Sequence, residues 1–99
     1  MVTKDEARQY LCDVAPEKCF WTSDGQVYKN LEEFANGLQN MSSETFKYHA
    51  NNEKNDFSTW VKEVIGDVKL ANDLLSSRSK NSAAKKIMAR VTTLKKKAA

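Results

Sequence analysis

Apolar positions along this chain recur mostly at three- and four-residue intervals, the spacing of one face of an α-helix. After "TKDE", in which Thr3 and Glu6 can form a capping box, Ala7, Tyr10, Leu11 and Val14 follow that rule. Pro16 ends the run, because proline has no N–H for the helix ladder. "NLEEFANGLQNM" sets Leu31, Phe34, Ala35, Leu38 and Met41 on one stripe, with Asn30 as cap and Glu33 completing a second box. Gly37 interrupts it at a cost of about 1 kcal/mol relative to alanine, and is expected to allow a close helix contact. Ser42 starts a further helix with Phe46, His49 and Ala50 on one face. Asn55 or Asp56 caps the next, whose Phe57, Trp60, Val61, Val64 and Ile65 make the cleanest amphipathic pattern in the chain. Gly66 stands where a left-handed helix terminus is wanted. Asp67 can cap the following helix, with Leu70, Ala71, Leu74 and Leu75 on its apolar face. After the polar break "SSRSKNS", a last helix runs through "AAKKIMARVTTLKKK" on a stripe of Ala84, Ile87, Met88, Val91 and Leu94.

One stretch departs from this period. In "CFWTSDGQVYKN", Phe20-Trp21 and Val27-Tyr28 flank the turn dipeptide Asp24-Gly25, which predicts a short hairpin. Two strands alone are marginal in water, so the hairpin must lean on the helices. The predicted fold is mainly α: a compact bundle of five or six short helices with a small β-hairpin near residues 20–28. Ninety-nine residues make one domain, large enough to bury a core without disulfides or metal. Within it we expect a helical body, 1–77, and a basic C-terminal helix and tail, 78–99, packed on the same unit.

Composition narrows the class. Nine aromatic residues argue against disorder. No apolar run approaches the roughly 18 residues of a membrane span, and the charged start "MVTKDEARQY" lacks an apolar signal region, so a cytoplasmic location is expected. Cys12 and Cys19 are expected reduced, as small buried apolar side chains, a local disulfide being the alternative. Their six-residue gap is not a zinc-type pair, so no metal or other cofactor is expected.

The net charge of +3 conceals an asymmetry. Residues 1–77 carry 8 basic and 13 acidic side chains, a net of −5. Residues 78–99 carry eight basic side chains and no acidic one: Arg78, Lys80, Lys85, Lys86, Arg90, Lys95, Lys96 and Lys97. At 100° per residue, Lys85, Lys86, Arg90, Lys96 and Lys97 fall within about 140° of one another, opposite the apolar stripe. Lysine neutralises phosphate without reading sequence, so this face suits DNA or RNA, non-specifically. The plainer reading is a solvated helix end. A membrane surface fits less well, because bulky interfacial aromatics are missing.

His49 is the one side chain suited to acid–base chemistry near neutral pH. A hydrolase would pair it with Cys12 or Cys19 as nucleophile. The commoner arrangement is a packed histidine bonded to the polar connection or to the Asn55/Asp56 cap. No phosphate loop, nucleophile elbow or zinc-protease motif occurs. No catalytic residue, enzyme activity or small-molecule substrate is therefore expected. Trp21 and Tyr28 near the hairpin, with His49, form a candidate groove for a protein partner.

The motifs "FKYH", "NDFSTWV" and "VIGDVKLA" resemble a largely archaeal family of small helical domains of unknown function. Its pattern runs F-x-x-H, then N-D-F-x-x-W-[VI], then G-D-x-x-L-A. "KNLEEF" and "MSSETF" upstream are similar to it as well, so the resemblance spans residues 20–75. Such domains occur alone and appended to larger proteins, which implies an accessory or binding module and carries no activity over. The expectation is a small non-enzymatic binding protein contacting nucleic acid through its last helix, with a protein-interaction module as the alternative.

Overall fold

The structure, a computed structural model, describes residues 2–77 and 79–99. Six α-helices and one hairpin follow in the order α1 (Lys4–Leu11), β1 (Phe20–Trp21), β2 (Val27–Tyr28), α2 (Leu31–Asn40), α3 (Ser43–His49), α4 (Asp56–Trp60), α5 (Val68–Leu75) and α6 (Lys80–Ala98). A 3-10 turn, Pro16–Lys18, precedes β1, and a π-helical turn, Val61–Ile65, extends α4. No helix among the described residues is long and apolar enough to cross a membrane.

The caps act as the sequence suggests. Thr3 accepts from the Glu6 N–H while Glu6 accepts from the Thr3 N–H, closing a full capping box. Asn30, Ser42, Asn55 and Asp67 each accept from a backbone N–H three residues on. Asn55, not Asp56, is therefore the α4 cap. At α2 the return bond shifts by one residue, because Glu33 accepts from the Lys29 N–H. α1 stops at Leu11, earlier than the apolar spacing implies. Cys12 turns extended, and the Val14 N–H goes to the Lys29 carbonyl at 2.8 Å, tying this segment to the end of the hairpin.

The hairpin pairs Phe20 with Tyr28 and Trp21 with Val27, antiparallel, around Gly25 at φ +90°. Period two then sorts the strands: Phe20 and Tyr28 turn inward, Trp21 and Val27 outward. The inward rings join an aromatic core. Phe20 stacks on Phe34 at 5.6 Å, and Trp60 meets Phe34 edge-on at 5.3 Å. Phe57 packs against Phe20, Phe34 and Phe46. The Trp60 indole N–H donates to the Lys18 carbonyl at 2.8 Å, so this large side chain is buried without an unpaired donor.

A second, aliphatic half of the core lies where α6 packs along α1 and α2 and touches α5. Ala83, Ala84, Ile87, Val91 and Leu94 of α6 are buried there with Leu38, Leu70 and Leu74. Ala83 takes a core place expected for Met88, which is exposed, as is Leu75. α6 is also longer than predicted, because Ser79 caps it from inside the polar break. Gly37 proves to serve the hairpin, not a neighbouring helix: the Tyr28 ring occupies the space a side chain there would fill.

The π-helical turn changes the chain's exit from α4. The Gly66 N–H reaches back to the Val61 carbonyl at 2.8 Å, and Gly66 reverses the chain at φ +92°. Asp67 then lies almost wholly buried at the start of α5. There it becomes part of the surface described next.

Candidate nucleic-acid interface and hairpin surface

The basic end is divided by what α6 docks against. Lys80 Nζ donates to the Met41 carbonyl. Lys86 Nζ donates to the Asp73 carbonyl and to Ser76 Oγ, both at 3.0 Å, closing the carboxyl end of α5 where a cation is electrostatically favoured. Lys95 pairs with Glu32 of α2. Arg90 makes a two-pronged pair with Asp67, Nε to Oδ2 at 2.7 Å and Nη2 to Oδ1 at 3.0 Å. The Asp67 side chain is 1% exposed and that of Arg90 13%. These hydrogen bonds raise the Arg90 pKa above its ordinary value, against the burial that lowers it. Arg90 thus pins α6 to the start of α5, and two of its donors, expected for phosphate, are spent on Asp67.

Lys85, Lys96 and Lys97 remain exposed, and none has a partner among the described residues. Lys85 and Lys96 are eleven positions apart, about 20° in azimuth and about 16 Å along the axis. They stand on one ridge with Ala89, Thr92 and Thr93, and α6 contains no acidic residue. Arg78, also expected to bind phosphate, lies outside the described residues. The expected face of eight cations narrows to three outward lysines plus four whose donors are turned to the body.

The hairpin groove is only partly assembled. Trp21 is 64% exposed beside Val27 on the outer face, whereas Tyr28 faces the core and is 7% exposed. The strand alternation separates them, so Tyr28 is removed from the expected groove. Trp21 and His49 do line one open hollow of about 430 Å³ between β1 and α4, with Trp60 and Val64 in its wall and Glu63 at its edge.

His49 is buried, with both ring nitrogens engaged. Ser23 donates its backbone N–H to Nε2 at 3.0 Å, so Nε2 carries the lone pair. Nδ1 must then hold the proton, and it donates to Asp56 Oδ2 at 2.9 Å. Burial opposes ionisation of Asp56, and the His49 and Lys54 hydrogen bonds outweigh it, holding the carboxyl below its usual range. The imidazole thereby joins the hairpin turn, the end of α3 and the start of α4. Cys12 is exposed and Cys19 half-buried, both as free thiols, so neither is the buried apolar side chain expected. Their thiols lean on the Arg8 and Ala15 carbonyls. Among the described residues no cluster of three His, Cys, Asp or Glu side chains could hold a metal.

Sequence reasoning missed one feature entirely. Tyr10, Arg90 and Lys97 meet across a cleft between α1, α6 and the Gly66 turn. No spacing rule joins these positions; only the docking of α6 does. Searches of protein-family models, curated proteins and solved structures found no match to this chain.

Proposed function

We propose that the protein is a small non-enzymatic binding module that contacts DNA or RNA without sequence preference through the outer ridge of α6. The observation that carries the reading is that α6 has no acidic side chain, while Lys85 and Lys96 share its outer ridge and Lys97 stands about 100° round the helix, none with a partner among the described residues. Three phosphate contacts imply a slope of log affinity against log salt of about −2.7, or an affinity loss of about 40-fold between 50 and 200 mM salt. Eight contacts would give a slope of about −7 and a loss of about 20,000-fold over the same interval. Fluorescence anisotropy with a labelled random-sequence duplex, repeated across salt, separates the two. The reading fails if no binding occurs at the lowest salt, or if the triple variant Lys85→Gln, Lys96→Gln, Lys97→Gln binds as well as the parent.

A second reading, a protein-interaction module, is favoured by Trp21, an exposed ring beside a hollow. Aromatic anchors next to pockets are common binding hot spots. Under it, Trp21→Ser abolishes partner binding and leaves the salt-dependent nucleic-acid affinity untouched. Either reading fits a cytoplasmic member of the archaeal-type family whose motifs the chain resembles.

A further inference from the structure

The open cleft between α1, α6 and the Gly66 turn has a volume of about 520 Å³. That lies within the range of small-molecule sites, which combine apolar walls with a few convergent polar groups. Val2 and Val68 form its apolar wall here, with the fully buried Leu94 behind it, and Gly66 narrows nothing because it has no side chain. Val68 is 52% exposed and so offers apolar surface to the cleft.

The polar groups are nearly all donors. Arg90 uses Nε and Nη2 on Asp67, which leaves Nη1 with no partner. The Tyr10 hydroxyl also has none among the described residues. Burial, with Glu6 and Asp67 nearby, raises the Tyr10 pKa, so it stays a protonated donor. Lys97 stands over the cleft as a third donor. Lys69 also borders it but is paired with Asp73 at 3.1 Å. Against these, both Asp67 oxygens are taken by Arg90, one also by the Leu70 N–H. Glu6 is the remaining acceptor, exposed on the rim and held in the α1 capping box. The Thr93 hydroxyl is turned back to the Ala89 carbonyl.

We propose that this cleft binds a small amphipathic carboxylate, its head held by Tyr10, Arg90 and Lys97 and its apolar body laid on Val2 and Val68. The ligand is distinct from a nucleic-acid partner and the proposal does not rest on that reading, although both use Lys97. It also departs from the sequence expectation, which included no small molecule.

The test is an amide-resolved NMR titration of the full chain with octanoate, and in parallel with octylamine. Octanoate should give saturable shifts centred on Tyr10, Gly66, Val68 and Leu94. Tyr10→Phe and Lys97→Gln should each weaken it about tenfold, the loss of one hydrogen bond to an ionised group. Lys47→Gln on α3 removes the same charge elsewhere and should leave the affinity unchanged. The proposal is overturned if millimolar octanoate gives no saturable shift at the cleft, if octylamine binds equally well, or if both cleft variants retain parental affinity.

Discussion

Replacing Gly37 with alanine should destabilise this protein, although the same change stabilises an ordinary helix by about 1 kcal/mol. A methyl at position 37 would overlap the outer ring carbons and the hydroxyl of Tyr28, well inside van der Waals contact. Tyr28 cannot yield by a small tilt, because its ring stacks on Phe34 at 5.9 Å and lies parallel to Phe20 at 6.4 Å. Swinging it outward forfeits its burial, about 1.5–3 kcal/mol, and its stacking, about 0.5–1.5 kcal/mol. Less the helix gain, the net loss is about 1–3.5 kcal/mol, or a fall in Tm of about 4–8 °C per kcal/mol for a domain of this size. Urea melts followed by far-UV circular dichroism measure it. Two backgrounds separate the mechanism. Tyr28→Phe keeps the clashing ring, so Gly37→Ala should still destabilise. Tyr28→Leu removes the ring's outer edge, so Gly37→Ala should become neutral or stabilising. If Gly37→Ala stabilises the parent, or costs the same in the leucine background, the argument from ring overlap is wrong.

Other expectations concern the buried polar links. Arg90→Met leaves the Asp67 carboxylate buried without its cation and should cost about 3–5 kcal/mol, with Asp67→Asn in the same chain restoring part of it. Equal losses in the single and double variants would rule the pairing out as the cause. Asp56 has a depressed folded pKa, so its contribution is full above the unfolded carboxylate value of about 3.9 and disappears as pH falls through the lower folded value. Urea melts from pH 5 to pH 2 should therefore show an acid limb with the same onset but a smaller total loss in Lys54→Ala, whose Asp56 pKa lies closer to the unfolded value, and an unchanged loss would contradict the assignment. Nitrogen-15 NMR should find the His49 ring protonated at Nδ1, the tautomer required by the Ser23 N–H; protonation at Nε2 alone would exclude that bond.

Much of the fold was legible because caps and glycines act locally. Thr3, Asn30, Ser42 and Asp67 each need only a backbone N–H three residues away, and Gly66 needs only its own φ. The hairpin was legible for the same reason, as Asp24-Gly25 sets both the turn and the strand alternation. Where the reading went astray, a distant contact decided. Val14 continues the helical spacing of α1, yet its N–H is captured by Lys29. Gly37 invites a helix neighbour, yet a tyrosine from the hairpin fills the place. Met88 and Ala83 exchange roles because the surface of α2 that meets α6 is not visible in the period of α6 itself.

The same division governs the candidate sites. A helical wheel ranks the α6 cations by azimuth, and Lys85 and Lys96, opposite the stripe, do face outward. It says nothing of what borders the stripe. Lys86 and Arg90 sit near that border, where the end of α5 offers carbonyls and its start offers a buried carboxylate. A cation there lowers its energy more by satisfying buried acceptors than by standing in water, so docking α6 leaves it fewer donors for an outward phosphate. Charge composition therefore overstates the interface of a docked basic helix, and the error falls on the edge positions. The same docking creates the Tyr10 cleft, since Asp67 leaves one arm of Arg90 unoccupied beside a hydroxyl that α1 supplies. The docking that narrows the first candidate site produces the second, and the salt slope and the octanoate titration test these two consequences separately.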